Sequence, residues 1–337
     1  MNVSVVICAY TIDRWDDLCT AVRSSIDQSV KAREIIVVID HNVELFERAQ
    51  LGLTGVQVLS NRSTKGLSGA RNTGVAGSSG DLIVFLDDDA FADHNWLEKL
   101  TGPFSDPRVA GVGGWILPNW PSQAPQWFPE TFYWVLGCSY DGLPQDNGEI
   151  RNPIGANMAV RRRVFDAVGG FTSTLGRIGR NPLAGEEAEL CIRYSAKMPG
   201  EHFVLSRSAI VHHRVPEWRL TWHYFWTRCW AEGISKAGVA SLVGVSSGLA
   251  AERRHVMKPL PREMGRCLRT LPRTPRASLT RFSLILMGTA LAVAGVLRGK
   301  ASMRRRPLVA ESGSLEKLKE LMREEPEIWS PEPPQGT

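Results

Sequence analysis

The chain has 337 residues, 43 % of them apolar, and a formal net charge of +5. That length suits one large α/β domain with an appendage, and the ordinary apolar content excludes a chain disordered throughout. The six cysteines (Cys8, Cys19, Cys138, Cys191, Cys229, Cys267) are far apart and form no CxxC pair, which argues against a thiolate metal site and reads as reduced, mostly buried thiols in a cytosolic protein.

MNVSVVICAY starts a strand at once and has none of the charged head, long apolar stretch and cleavage site of a signal peptide. RWDDLCTAVRSSIDQ has helical spacing, with Leu18, Val22 and Ile26 on one face. EIIVVID, VQVLSN and DLIVFLDDD read as strands two to four. GLSGARNTGVAGSSG, between the last two, reads as a small-residue helix ended by glycines. β-Branched runs separated by helices predict a mostly parallel sheet with helices on both faces. Ligands of such sheets sit at the carboxyl ends of the strands. Tyr10, Asp40 and the run Asp87, Asp88, Asp89 all fall there.

Three consecutive carboxylates at the end of an apolar strand repel one another unless a cation joins them. Hard divalent cations take oxygen ligands and are shared between carboxylates and substrate phosphates. Solvated caps at strand ends are the plainer alternative for an isolated DDD.

The middle of the chain is aromatic and broken by prolines, with Trp115, Trp127 and Trp134 able either to stack on sugar faces or to fill a core. RNPIGANMAVRRRVFDAVGGF follows, and Arg161 to Arg163 within it suit an anionic ligand or a solvated helix face. Glu186, Glu187 and Glu189 open a helix, HFVLSRSAIVHHRVP reads as a strand leading to His212 and His213, and WRLTWHYFWTRCWAEGISKA as an aromatic helix. Between residues 252 and 310 fourteen Lys and Arg oppose only Glu252 and Glu263, an excess above the net charge of the whole chain. Inside this basic stretch Phe282 to Leu297 carries no charge. A short apolar helix with basic flanks predicts contact with an anionic membrane surface. Nucleic acid, the other partner of a basic stripe, would not need the apolar run. SLEKLKELMREE predicts one charged helix before a Pro-rich, disordered end.

In order and spacing, SVVICAY, EIIVVID, GLSGARNTG, LDDDA, GANMAVRRRVFDAVGGF, GEEAELCIR and VHHRVP resemble the family 2 glycosyltransferases over roughly residues 3–237. Within that family ICAYTIDRWDDL and WFPETFYWVLG look most like the glucosyl-dolichyl-phosphate glucuronosyltransferases. The resemblance implies a GT-A nucleotide-sugar fold. It implies that Asp40 bonds the uracil beside a wall of Cys8, Ala9 and Tyr10, and that Arg71 and Asn72 help hold the nucleotide. Asp89 and Asp87 would hold the metal, Mn²⁺ or Mg²⁺, with Asp87 also facing ribose and His213 as a third contact. Asp88 falls in the donor site without a defined role. Gly155 and Asn157 would line the donor-sugar or acceptor pocket. In inverting members the base is the second acid of a Glu-Asp pair, which points here to Glu187, with Glu186 as the alternative. Two departures stand out. Cys8-Ala9-Tyr10-Thr11 replaces the more usual Pro-x-Tyr-Asn, and Ile39-Asp40 replaces Asp-Asp.

The sequence thus predicts a metal-dependent inverting glycosyltransferase. It would move a sugar, glucuronic acid by the narrower resemblance, from a UDP-sugar to a polyprenyl-phosphate-linked or other glycan acceptor on the cytoplasmic membrane face. The expected units are residues 1–240 as catalytic domain, 241–310 as membrane-associating segment and 311–337 as tail. A sugar nucleotidyltransferase would share the strand-end acids but carry a glycine-rich basic loop after strand one, where CAYTIDRW has neither. A non-catalytic membrane-associated binding protein would have no need of an intact acid set.

Overall fold

The computed structural model describes residues 1–176, 184–244, 248 and 255–305. The chain runs β1 (Val3–Ala9), α1 (Trp15–Ile26), β2 (Glu34–Ile39), α2 (Val43–Gly52), β3 (Gln57–Ser60), α3 (Leu67–Gly77) and β4 (Leu82–Asp87). It continues through β5 (Ala90–Ala92), α4 (Trp96–Thr101), β6 (Val109–Asn119), β7 (Glu149–Ile150), β8 (Asn157–Arg161) and α5 (Arg162–Val168). After these come α6 (Glu186–Lys197), β9 (His202–Arg214), α7 (Trp222–Val243), α8 (Pro259–Thr270) and α9 (Pro275–Arg305).

The strands form one sheet in the order β3-β2-β1-β4-β8-β6-β9-β5, with β7 paired to β9. The half built from the first four major strands is parallel, as the β-branched runs predict. The other half is mixed, because β8 runs against both β4 and β6. No alternation in GANMAVRRR marks that reversal, so the sheet is less parallel overall than the sequence suggests.

Two apolar layers cover the sheet. One joins Val5, Ile7, Val37 and Val84 to Leu18 and Val22 of α1. The other joins Val6, Val38 and Phe85 to α3, α5 and α6. The glycines of α3 let it lie close to the strands: a Cβ on Gly74 would stand 2.4 Å from Val6 Cγ1. A third cluster packs Phe128, Phe132 and Phe225 against Leu284 and Ile285 of α9. Helices α8 and α9 therefore share a core with the aromatic middle of the chain, and among the described residues no separate core begins at residue 241. The apolar run 282–297 is the centre of a longer helix, and the charged helix expected in the tail lies outside the described residues. The cysteines described are all free, with four buried and Cys8 and Cys19 partly so.

Candidate active site

The carboxyl ends of β1, β2 and β4 lie side by side, with Ala9 opposite Ile39 and Cys8 opposite Asp87. Asp88 and Asp89 form the turn into β5, and Ala90 pairs with His213 of β9. The pairing of β5 with β9 thus brings the acid run against the histidine. Asp87, Asp89 and His213 each offer a ligand atom, all within 4.8 Å of one another. His213 Nε2 lies 3.2 Å from Asp89 Oδ1, whereas His212 faces away and meets Asp93.

Two arginines that the sequence reading did not single out complete this corner. Arg14 Nη1 stands 3.0 Å from Asp88 Oδ1 and 3.1 Å from Asp89 Oδ2, and Arg219 Nη2 is 3.5 Å from Asp89 Oδ2. Their positions, just past strand one and just past VHHRVP, are the only signal the sequence offers. Burial raises the Asp89 carboxyl, but His213, Arg14 and Arg219 outweigh it and hold the group well below the usual carboxylate range. Asp88 goes the other way. Its burial outweighs Arg14, the neighbouring aspartates add to the rise, and it is pushed up to about 7.

Arg71 of α3 joins this corner to the helix that starts with acids. Its side chain is buried and lies near the rings of Phe85 and Phe171. Arg71 Nη1 donates to Glu186 Oε1 at 3.0 Å and to Glu187 Oε1 at 2.9 Å, while Nη2 is 3.5 Å from Asp87 Oδ1. Burial disfavours the guanidinium charge, yet Glu187, Glu186 and Asp87 raise its pKa further than burial lowers it. Helix α6 begins after Gly185, at φ +117, and puts both glutamates in its first turn, where the helix dipole favours anions. The two differ in access: the Glu186 side chain is 2 % exposed and that of Glu187 16 %. Gly155 lies against this pair, and a Cβ there would stand 2.0 Å from Glu187 Oε1 and 2.3 Å from Arg71 Nη2.

Asp40 is held at the end of β2 by Asn61 Nδ2, which donates to it at 2.6 Å, and by the Gly66 amide at 2.9 Å. Tyr10 is partly exposed, with the Arg14 guanidinium 5.4 Å from its ring centre. Burial pushes the Cys8 thiol upward, away from thiolate character.

Two expected pocket residues are braces in this structure. Asn72 donates to the Phe171 carbonyl at 2.9 Å and accepts from the Phe171 amide at 2.7 Å, so its amide is spent on the backbone. Asn157 accepts from Trp96 Nε1 and donates to the carbonyls of Trp115 and Ala209. It thereby fills the irregularity of the β6–β9 pairing beside Gly114. Arg161, Arg162 and Arg163 lie at the opposite end of the sheet, tied to carbonyls or to Glu201. Among the tryptophans, Trp127 stacks on Trp222, and Trp134 packs on Phe132.

The donor set suits a divalent cation. Asp87, Asp88, Asp89, Glu186 and Glu187 face the guanidinium groups of Arg14, Arg71 and Arg219, so carboxylates outnumber fixed cations. Two carboxylates and an imidazole suit Mn²⁺ or Mg²⁺, with the nitrogen favouring the former. His213 Nδ1 and Asp88 Oδ2 are buried without a hydrogen-bond partner.

Residues 4–169 match the family model for glycosyl transferase family 2. The chain is 34 % identical over 240 residues to a glucosyl-dolichyl phosphate glucuronosyltransferase of Haloferax volcanii, covering 70 % of this chain and 76 % of that one. The chain belongs to glycosyltransferase family 2. A second family-sized likeness, 26 % identical, is to the succinoglycan biosynthesis protein ExoM of Rhizobium meliloti, covering 74 % and 83 % of the two chains. The crystal structure of GalNAc-T7 with UDP, GalNAc and Mn²⁺ superposes with a TM-score of 0.50 at 18 % identity. It covers 75 % of this chain but 53 % of that one, and it shows the shared GT-A fold. This family 2 member is thus an enzyme, a glycosyltransferase, with its acids at the strand ends of a GT-A sheet.

Proposed function

We propose that this glycosyltransferase transfers a sugar with inversion from a UDP-sugar to a polyprenyl-phosphate-linked glycan acceptor on the cytoplasmic membrane face. Glucuronic acid is the donor sugar that the name of the Haloferax relative suggests. The observation that carries the reading is the link, through one buried arginine, of Glu187 to the strand-end acids.

Asp87, Asp89 and His213 would hold Mn²⁺ or Mg²⁺, which when bound supplies positive charge beside the departing diphosphate. Asp40 sits in the nucleotide pocket as the acceptor for a base N–H. Its oxygens are already oriented by Asn61 and the Gly66 amide. Tyr10 and Ala9 border the same pocket. Glu187 takes the proton of the attacking acceptor hydroxyl, because it is the member of its pair that reaches the open side. Glu186 shares Arg71 Nη1 with Glu187 and, buried behind it, fixes the aim of the base. Gly155 keeps the acceptor side clear of a side chain.

The test is donor turnover. UDP release that requires Mn²⁺ or Mg²⁺ and rises with a short polyprenyl-phosphate-glucose acceptor supports the reading. UDP binding without turnover on any such acceptor sends the search to another acceptor class.

A further inference from the structure

Helix α9 has two apolar faces. One carries Leu284, Ile285, Gly288, Gly295 and Gly299 and is buried. Its glycines admit the neighbouring helix closely: a Cβ on Gly295 would stand 2.3 Å from the Trp230 carbonyl oxygen, and one on Gly299 2.6 Å from Ala237 Cβ. The other face carries Leu279, Leu286, Met287, Val293 and Leu297, each 50–64 % exposed. Their spacing keeps them on one stripe, and a solvated helix face would be polar there. Basic residues flank the stripe, with Arg273 and Arg276 before it and Arg298 and Lys300 after it.

By length and composition Pro275–Met303 could cross a membrane, its most apolar 18 residues having a mean hydropathy of 1.7. Its packing opposes that. The half of α9 from Gly288 to Gly299 is joined to α7, which carries Arg228, Glu232 and Lys236 in an ion-paired run along the same stretch. Crossing would draw these charges toward the hydrocarbon, where each is costly. The charge-free run of 16 residues, Phe282 to Leu297, spans only about 24 Å at ~1.5 Å per residue, short of a hydrocarbon core of roughly 30 Å.

We propose that the outer face of α9 lies in the plane of an anionic bilayer surface, with Leu279, Leu286, Met287, Val293 and Leu297 among the acyl chains and the basic flanks at the headgroups. The proposal deepens the membrane-acceptor reading above and rests on it for the identity of the surface. Trp222 and Trp230 of α7 add partly exposed indoles, the side chain best suited to that boundary.

The experiment uses the full chain with sealed vesicles of phosphatidylcholine alone or with about 30 mol % phosphatidylglycerol, whose negative surface potential attracts basic segments. Wild type is expected to float with the anionic vesicles and at least tenfold more weakly with the neutral ones. Leu286→Glu combined with Val293→Glu is expected to lose flotation at least tenfold while keeping its UDP-sugar turnover on a water-soluble acceptor. Single cysteines at Thr274 and Ala301 are both expected to react with an impermeant maleimide added outside the vesicles. Protection of one of them shows a crossing helix and overturns the proposal. Unchanged flotation of the double variant also overturns it, as does a stable dimer in place of vesicle binding. Loss of turnover in detergent, with flotation intact, would instead count against the catalytic reading and leave the membrane face standing.

Discussion

Arg71 Nη1 lies 2.9 Å from Glu187 Oε1 while its Nη2 lies 3.5 Å from Asp87 Oδ1, so one buried guanidinium spans the two acid groups of the site. Glu187 is therefore held from behind, with its open side toward solvent. Glu187→Gln keeps the shape and removes the base. It is expected to lower kcat by about 10²–10⁴-fold with UDP-sugar affinity unchanged. Titration calorimetry alongside turnover separates the two, and full turnover in the variant removes Glu187 as base.

Removing Arg71 leaves Glu186 buried beside Glu187 and Asp87 without the guanidinium that joins them. Breaking a buried pair from one side costs about 3–5 kcal/mol. Arg71→Ala is expected to lose that stability in denaturant melts. Arg71→Lys should recover only part of it, since an ammonium lacks the planar fork whose Nη1 meets both glutamates while its Nη2 reaches toward Asp87. Wild-type stability in Arg71→Ala would show that the network carries no strain-free load of this kind.

Gly155→Ala places a methyl where Glu187 Oε1 and Arg71 Nη2 now lie. The base must shift by about an ångström, which costs on the order of 10²-fold in kcat when it misplaces a reacting group. The melting temperature reports how much the fold gives way. A variant with normal kcat would place the base elsewhere.

Metal removal gives another test. EDTA is expected to abolish turnover and added Mn²⁺ to restore it. His213→Ala is expected to weaken the metal requirement's half-saturation by at least the roughly 10–100-fold seen when an outer partner of a metal ligand is lost. His212→Ala, whose ring meets Asp93, serves as the control and should leave it unchanged.

Stability should fall in acid partly through Glu34. Burial raises its carboxyl, but the Ser4 hydroxyl at 2.5 Å and the Ser79 amide and hydroxyl donate to it and bring the pKa below its ordinary value. A depressed folded pKa contributes stability above the unfolded value of about 4.3, and that contribution is lost as pH falls through the folded one. Denaturant midpoints from pH 7 down to pH 3 should show a shallower decline in Ser4→Ala than in wild type.

Much of the parallel half of the sheet was legible, because buried parallel strands are written as unbroken β-branched runs. The acid run at Asp87 was legible for the opposite reason: three charges at the end of such a run have no packing explanation. The reversal of β8 was not legible, since five residues of NMAVR carry no directional signal. The family resemblance assigned Asn72 and Asn157 to the pocket through GARNTG and GANMAV, and only the fold shows each amide bonded to backbone carbonyls nearby. Arg14 and Arg219 were missed because a lone arginine after a strand looks like solvated charge until its carboxylate partners are placed. The long α9 was read as a short apolar run because its basic flanks hide helix from a charge-free count.

The most direct measurement is UDP release by the purified full chain across a panel of UDP-sugars, with Mn²⁺ or with EDTA, with and without a short polyprenyl-phosphate-glucose acceptor. The site described above predicts turnover with one donor that needs the metal, rises with acceptor and disappears in Glu187→Gln. Folded protein that binds no UDP in the presence of metal would contradict it, because the acids at the end of β4 would then hold no donor.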